Sequence, residues 1–230
     1  MNRQKETILR FNLPTRLGHG TIVIFSILLF ITGSSLIFTS FANLFSNSVL
    51  RTFLGIHRFS GIAFTLAPII FLVLLGWRHT KEWLREIFNW SNEDLKFIAG
   101  FPKNFFGFKA ETPPQGKFNG GEKLNSILQI FGWVVFITTG WIMYLNIFSA
   151  TIFGWARVIH SFAALALGGI VIGHAFLGLF HPDSKESING MLGGYVCKKW
   201  AKEHHALWVA DIEKKPQTEA KETIGGVAHG

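Results

Sequence analysis

The sequence is poor in cysteine and in acidic side chains, and both shortages narrow what the protein can be. Its one cysteine, Cys197, excludes an intrachain disulfide. A single thiolate also cannot hold an iron–sulfur cluster, which normally takes four ligands, so any such cluster must belong to another chain. Asp and Glu total 14 against 22 Lys and Arg, which gives a net charge of +8. Because these cations avoid the long apolar runs, anionic lipid headgroups explain the charge better than nucleic acid does.

Motifs of the common soluble enzyme classes are also missing. The sequence contains no phosphate-binding glycine loop, zinc-ligand cluster or nucleophile elbow. A cleavable signal peptide is not expected, because the apolar run after Arg16 is longer than a signal core and no small-residue cleavage site follows it. Instead, 49% of the residues are apolar, including 24 Phe and 8 Trp. This composition favours a membrane protein.

Four apolar runs are each long enough to cross a bilayer as a helix. They cover residues 17–42, 52–77, 124–148 and 155–180. The runs predict an all-α fold, a four-helix transmembrane bundle over 17–180, with a polar N-terminal segment (1–16) and a polar C-terminal segment (181–230) whose tail we expect to be mobile. Pro68 lies inside the second run and predicts a kink there.

The longest segment between spans covers residues 78–121. Its first half sets Trp83, Ile87, Trp90 and Phe97 among charged residues, a pattern typical of an amphipathic helix that lies at the membrane interface. The second half is rich in Pro and Gly, which disfavours regular structure. We therefore expect one interfacial helix between the second and third spans, followed by a loop.

Lys and Arg are divided unequally between the two ends of the spans. Nineteen belong to the N-terminal, middle and C-terminal segments, whereas Arg51, Arg58 and Arg157 lie at the opposite ends. Positive side chains accumulate on the cytoplasmic side of membrane proteins. Both termini are therefore predicted to be cytoplasmic, in a multi-pass membrane protein.

Histidines in the apolar runs form two pairs at matching depths. His160 and His174 are 14 positions apart on the fourth span, which is about 21 Å of helix rise and about 1400° of rotation, so both lie on one face. In the predicted topology His57 shares the outer level with His160, and His19 shares the cytoplasmic level with His174. Two such pairs are what bis-imidazole ligation of two stacked haems requires. The alternative is that each histidine is a hydrogen-bonded packing residue.

Three other histidines are weaker candidates for haem ligands. His79 follows the second span beside two cations and is interpreted as an interfacial residue. His181 lies seven residues beyond His174 and is the spare candidate should His174 not be a ligand. His229 belongs to the tail.

The chain resembles the cytochrome b (gamma) subunit of membrane-bound respiratory formate dehydrogenase over nearly its whole length. The matching stretches are Arg16 with His19, LGIHRFSG around His57, NGGEK at 119–123, VIHSFAALALGGIVIGH in the fourth span, and INGMLGGYVCKKWAKEHHALW from Ile188 to Trp208. The last stretch is the most distinctive, because no haem chemistry needs it. The resemblance implies two b-type haems, with His57 and His160 as ligands of the outer iron and His19 and His174 as ligands of the inner iron.

The resemblance also implies a quinone site near the inner haem, for menaquinone or ubiquinone. Its positions fall on Asn119, Gly121 and Glu122, with His174 nearby. Glutamine is common in the family where this chain has Glu122, and a carboxylate there could donate protons to the quinone. In the plainer interpretation, Asn119 and the glycines form a turn and Glu122 caps the third helix.

Partner subunits follow from the same resemblance. An iron–sulfur subunit would pass electrons to the outer haem, and a molybdenum- or tungsten-containing subunit would oxidise formate, so this chain carries out no formate chemistry. We expect His204 and His205 to contribute to a cytoplasmic surface that contacts a neighbouring subunit, because adjacent residues seldom converge on one metal. Other possibilities are a cytochrome b of a nickel–iron hydrogenase or sulfur-compound reductase, a stand-alone dihaem membrane oxidoreductase, and a haem-free anchor. The WAKEHHALW segment favours the formate dehydrogenase subunit over the first of these.

Overall fold

The computed structural model describes residues 6–108, 110–182 and 184–214. In chain order the helices are α1 (Leu13–Ile37), α2 (Thr39–Ala42), α3 (Asn47–Pro68), α4 (Trp77–Phe88), α5 (Asn92–Phe105), α6 (Gly120–Leu145), α7 (Ala150–Leu179), α8 (Ser187–Leu192), α9 (Lys198–His204) and α10 (Ala206–Lys214). A π-helical segment, Ile69–Leu74, continues α3. Two short strands, β1 (Thr7–Leu9) and β2 (Tyr195–Cys197), pair with each other. The expected mobile tail beyond residue 214 and His229 lie outside the described residues.

Four helices are long and apolar enough to cross a membrane, which confirms the predicted all-α transmembrane architecture. They are α1, α3 with its π-helical continuation, α6 and α7. Each begins four or five residues before the apolar run that predicts it. Large apolar side chains remain exposed along them, for instance Phe131, Phe162 and Ile172. In a lipid bilayer, the surroundings of such side chains are as apolar as a protein core.

The chain divides into two compact units. The first unit contains Leu17–Thr80 and Leu128–Gly173. The second contains the described residues of Met1–Arg16, Lys81–Ile127 and His174–Gly230. Each unit is built from segments far apart in the chain, so neither corresponds to one continuous stretch of sequence.

Small residues allow the helices of the first unit to pack closely. A Cβ built on Gly18 of α1 would lie 2.9 Å from Leu72, and one on Gly168 of α7 would lie 3.0 Å from Phe30 of α1. The same construction on Gly132 of α6 collides with Leu167 of α7. These contacts join α1 to both α7 and the continuation of α3, and α6 to α7, as small residues commonly do between membrane helices.

Pro68 changes the helix type within the second span. Proline has no N–H, so the carbonyl of Phe64 four residues earlier loses its helical donor. The indole N–H of Trp133 on α6 donates to that carbonyl at 3.1 Å. Directly after Pro68 the chain continues with π-helical hydrogen bonds from Ile69 to Leu74. The interruption expected at Pro68 therefore takes the form of a π-helical segment, with the freed carbonyl satisfied by a neighbouring helix.

The second unit contains a small β-ribbon that sequence reasoning did not anticipate. Strands β1 and β2 are antiparallel, with Ile8 opposite Val196. Both side chains are buried together with Ala201 and Val209 from α9 and α10. The ribbon thus anchors the N-terminal segment to the segment that follows the fourth span.

The segment between the second and third spans forms two helices, α4 and α5, where the sequence predicts a single helix followed by a loop. The break is at Ser91, which caps α5: its Oγ accepts the Asp94 N–H at 3.3 Å, and Asp94 Oδ2 accepts the Ser91 N–H at 2.8 Å. This capping box starts a new helix instead of extending α4. The amphipathic character is present in α4, where Ile87 is fully buried and Phe88 is exposed.

Candidate functional site

His57 of α3 and His160 of α7 lie close to each other in the first unit. Their ring centres are 6.4 Å apart and their planes are inclined by 67°, so the rings do not stack. Both side chains are half-buried. The structure thus brings together the two histidines that the sequence predicts as the outer pair.

The spacing of this pair fits one metal ion held between two imidazoles. An imidazole nitrogen binds a first-row metal at about 2.0 Å and lies about 1.1 Å from its ring centre, so the ring centres of a linear complex are roughly 6 Å apart. The observed 6.4 Å agrees with that spacing. Neutral imidazoles on opposite sides of one iron are also the donor set of a bis-histidine b-type haem. The residues present therefore fit the group that the sequence predicts.

A threonine hydroxyl from a neighbouring helix holds each of these histidines. Thr32 Oγ1 of α1 is 3.0 Å from His57 Nδ1, and Thr139 Oγ1 of α6 is 2.8 Å from His160 Nδ1. Each hydroxyl also lies 2.6 Å from a carbonyl one turn earlier in its own helix, that of Leu28 or Val135. The two histidines thus share the same kind of threonine contact, and His57 in addition interacts with the main-chain carbonyl of Leu29.

Two glycines leave space beside these rings. Gly33 follows Thr32, and a Cβ built on it would lie 3.2 Å from Cε1 of His57. Gly140 follows Thr139, and its Cβ would lie 3.7 Å from Cε1 of His160. A side chain at Gly33 would therefore press on its histidine more tightly than one at Gly140.

The two histidines of the predicted inner pair belong to different units. His19 lies on α1 in the first unit, and His174 lies on α7 in the second. Asn125 Nδ2 of α6 is 3.4 Å from His174 Nδ1, which is longer than either threonine contact of the outer pair. The pairing of His19 with His174 stays a prediction.

The NGGEK loop forms the start of α6 in the second unit. Asn119 Oδ1 accepts the Glu122 N–H at 2.9 Å, and Glu122 Oε2 accepts the Asn119 N–H at 3.0 Å. These reciprocal bonds cap the helix, as in the plainer interpretation of this loop. Gly120 packs against the main chain of Asp94, where any side chain would collide, and a Cβ on Gly121 would lie 3.6 Å from Phe97.

A buried arginine from the N-terminal segment completes this cluster. Arg10 is 2% exposed, and its Nη2 lies 2.9 Å from Glu122 Oε1 and 3.1 Å from His205 Nε2. The same nitrogen donates to the carbonyl of Lys117 at 3.0 Å. Both Glu122 oxygens therefore already accept hydrogen bonds, from Arg10 and from the Asn119 N–H.

His205 is buried in this cluster, so the expectation that it lies on a subunit-facing surface is wrong. It is 1% exposed, and its Nδ1 lies 2.8 Å from the carbonyl of Gly116, which can only accept. Nδ1 thus carries the proton and Nε2 accepts from Arg10. Burial, together with the positive charge of Arg10 and against the attraction of Glu122, lowers the pKa of His205 to about 4. A neutral His205 is a fixed part of the second unit.

The remaining candidates differ in exposure. His79 is exposed, in keeping with an interfacial position. His181 stacks on Phe105 with ring centres 5.8 Å apart, and its Nδ1 is buried with no hydrogen-bond partner among the described residues.

Sequence reasoning missed Thr32, Thr139 and Arg10. A signal for the threonines exists: FITG at 30–33 and FITTG at 136–140 each end in Thr-Gly, and each is followed by an Ile-His-x-Phe stretch, at 56–59 and at 159–162. No comparable local signal marks Arg10, whose partners lie more than a hundred positions away.

Comparisons with known proteins match most of the chain. A model of the family described as prokaryotic cytochrome b561 matches residues 10–194. The cytochrome b556(fdo) subunit of formate dehydrogenase from Escherichia coli K12 is 26% identical over 230 residues, covering 95% of this chain and 100% of that protein. The formate dehydrogenase cytochrome b556 subunit of Haemophilus influenzae is 29% identical over 87% of this chain and 82% of that protein. The nitrate-inducible cytochrome b556(Fdn) subunit from Escherichia coli K12 is 28% identical, covering 96% and 99%.

Proposed function

Because the chain belongs to the prokaryotic cytochrome b561 family, we propose that it conducts electrons through two b-type haems to a quinone, as the membrane cytochrome b subunit of a formate dehydrogenase. Its four apolar helices and its family make it a multi-pass protein of the bacterial inner membrane. The named relatives are cytochrome b556 subunits of formate dehydrogenases, matched over most of their length. This favours a formate dehydrogenase complex over a hydrogenase or a stand-alone oxidoreductase.

The observation that carries the proposal is the geometry of His57 and His160. Two neutral imidazoles at a ring spacing of 6.4 Å would hold the outer haem, which supplies a one-electron couple when bound. His57 and His160 would supply the nitrogen ligands, and Thr32 and Thr139 hold the two imidazoles through their hydroxyls. It places no charged side chain among the hydrogen-bond partners described for these two rings.

His19 and His174 would hold the inner haem. His174 follows His160 by 14 residues on the continuous helix α7, about 21 Å of rise. Two haems held at this separation would together span most of the apolar part of a bilayer, which is about 30 Å thick, and so provide a path for electrons across it.

The quinone would bind at the NGGEK loop, with Asn119, Gly121 and Glu122 around it and His174 near it. The loop opens a membrane helix and supplies polar groups where an apolar substrate could enter from lipid. Since both oxygens of Glu122 already accept hydrogen bonds, its contribution is to hold Arg10 and the helix cap in place. In this proposal Glu122 shapes the site, and the protons come from the cytoplasm through water or neighbouring groups.

Partner subunits supply the reactions that this chain does not carry out. An iron–sulfur subunit would deliver electrons to the outer haem, and a molybdenum- or tungsten-containing subunit would oxidise formate. The single cysteine supports this division, because an iron–sulfur cluster needs more thiolates than the chain has.

The test is a reduced-minus-oxidised spectrum with haem quantified per chain in the purified complex. The wild type should contain two b haems, and His160→Ala and His174→Ala should each lose a different one. His79→Ala, which removes an exposed histidine at a span end, is the matched control and should keep both. Formate should reduce the haems only when the partner subunits copurify. Unchanged haem content in both ligand variants would falsify the assignment.

A further inference from the structure

We propose that Thr32 and Thr139 are positioning residues that fix the tautomer of His57 and His160 and lower the reduction potential of the outer haem. This inference rests on the proposed function, because it concerns how two axial ligands are held. It is carried by the hydrogen bonds of the two threonines and by a repeat that relates them.

The hydrogen bonds settle which ring nitrogen carries the proton. A threonine hydroxyl has one hydrogen. In each case the nearest acceptor is a main-chain carbonyl in the same helix, at 2.6 Å from the hydroxyl oxygen of Thr32 or Thr139. That carbonyl can only accept, so the hydroxyl donates to it and must accept from the histidine. Nδ1 therefore carries the hydrogen and Nε2 keeps the lone pair that a metal needs.

Back-bonding of threonine to its own helix is common in membrane helices and would not by itself indicate a role. Thr21 and Thr65 make the same kind of bond, at 2.6 and 2.9 Å. Thr32 and Thr139 are different, because each also touches Nδ1 of a histidine and each is buried.

A repeat in the chain relates the two contacts to each other. Helix α6 begins 107 positions after α1, at Gly120 against Leu13, and the same interval separates Thr139 from Thr32. The four spans therefore behave as two helical hairpins with a common plan.

The second helices of the two hairpins repeat in the same way. Helix α7 begins 103 positions after α3, at Ala150 against Asn47, and the same interval separates His160 from His57. The repeat extends to the phenylalanines two residues after each histidine, Phe59 and Phe162, which are 66% and 72% exposed. Each hairpin thus has a threonine on its first helix and a histidine on its second. The two histidines lie close together at one site.

The repeat does not extend to the predicted inner pair. The interval of 107 positions relates His19 to Ser126, and the interval of 103 positions relates His174 to Phe71. Of the two predicted histidine pairs, it is therefore the outer one to which both hairpins supply a threonine and a histidine. The two threonines should therefore contribute to the potential of one haem and not to that of the other.

The expected effect follows from ligand basicity. An Nδ1–H that donates to an acceptor makes the imidazole a stronger donor to the metal and favours the more positive oxidation state. Removing one acceptor should reduce the preference for ferric over ferrous iron by up to about tenfold, which is about 59 mV for a one-electron couple. Thr32→Val and Thr139→Val should each raise the outer haem's potential by a similar amount, and the double variant by about the sum.

The experiment is a redox titration of both haems in the intact complex, with haem quantified per chain. Thr32→Ser and Thr139→Ser keep a hydroxyl that can make both bonds, so their potentials should stay near the wild type. Thr138→Val is the matched control, since Thr138 adjoins Thr139 but is exposed. It should leave both potentials unchanged.

The outcomes separate this inference from the proposed function. A wild-type complex without haem would remove the proposed function. A dihaem wild type whose valine variants keep the outer potential, or whose serine variants shift as far as the valine variants, would overturn the role of the hydroxyls alone. If a valine variant loses haem, the serine variant at the same position still tests the role of the hydroxyl. A serine variant that retains haem at the wild-type potential would support that role, and one that also loses haem would overturn it.

Discussion

The outer histidine pair and the cluster around Arg10 are built in opposite ways. At the outer histidine pair, each imidazole receives a neutral partner from a helix close by in sequence, 25 residues away for Thr32 and His57 and 21 for Thr139 and His160. In the other cluster, the buried cation Arg10 contacts Glu122 and His205, which lie 112 and 195 positions further along the chain. The first site depends on helix register, and the second on long-range charge pairing.

This difference matters for what each site can tolerate. Where the hydrogen-bond partners of the ligands are neutral, as for His57 and His160, small changes in those hydrogen bonds should alter the potential of a bound metal. A buried ion pair holds distant segments in one arrangement but is sensitive to the loss of either partner. We therefore expect substitutions at the histidine pair to alter potentials, and substitutions around Arg10 to alter stability and quinone turnover.

The largest expected effect is that of Arg10→Gln. It leaves the Glu122 carboxylate, the Lys117 carbonyl and His205 Nε2 without their shared donor. Breaking a buried pair from one side costs about 3–5 kcal/mol, at the lower end here because Glu122 is partly exposed. Thermal unfolding of the purified complex should shift downward and quinone reduction should fall, while the potential of the outer haem is unchanged. A shifted outer potential would contradict the expectation that the two sites act independently.

The next effect is a pH dependence from His205. Its pKa is about 4 in the folded protein and about 6.5 when unfolded. Between these values the unfolded chain binds a proton that the folded protein does not. The stabilisation is therefore fully present above pH 6.5, is lost as the pH falls towards 4, and then levels off. The whole change is roughly 3 kcal/mol at 1.36 kcal/mol per pKa unit.

Unfolding measured across this pH range checks the prediction. His205→Gln should be less stable at pH 7 and should lose most of the slope between pH 6.5 and 4. The neighbouring His204→Gln is the matched control and should keep the slope. An unaltered slope in His205→Gln would assign the pH dependence to other groups.

The contrast between the sites also explains what could be predicted from the sequence. Hydropathy identifies the spans, and the depth of His57 and His160 in them predicts their pairing, because helix geometry relates sequence position to height. Thr32 and Thr139 escaped notice because contact between helices depends on their rotation about their axes, which hydropathy does not specify. Only the repeated Thr-Gly and Ile-His-x-Phe stretches carry that information.

Arg10, His205 and the β-ribbon were beyond sequence reasoning for a different reason. Their contacts join the N-terminal segment, the start of α6 and the segment after α7, and no local pattern encodes such long-range pairing. The capping role of Asn119 and Glu122 was available from the sequence as one of two interpretations, since a cap needs only residues three positions apart.

Glu122→Gln separates the carboxylate's charge from its shape. Glutamine can still accept the Asn119 N–H through its amide oxygen, but it forms no ion pair with Arg10. We expect retained haem, slower quinone turnover and a stability loss of up to about 3 kcal/mol, because the buried Arg10 loses its carboxylate while the amide oxygen still accepts one hydrogen bond. Haem quantification, thermal unfolding and turnover at several pH values check this. Turnover identical to the wild type at every pH would remove Glu122 from the quinone site.

The smallest expected effect tests whether the two halves of the histidine site are fully equivalent. A Cβ at position 33 would lie 3.2 Å from Cε1 of His57, tighter than an ordinary contact, whereas one at position 140 would lie 3.7 Å from Cε1 of His160. Gly33→Ala must therefore displace its imidazole by a few tenths of an ångström, and Gly140→Ala need not move anything. Both variants should retain two haems. A redox titration should show a small change in the outer potential for Gly33→Ala and none for Gly140→Ala. Equal changes in the two variants would mean that, with haem bound, the two glycines lie at similar distances from their histidine rings.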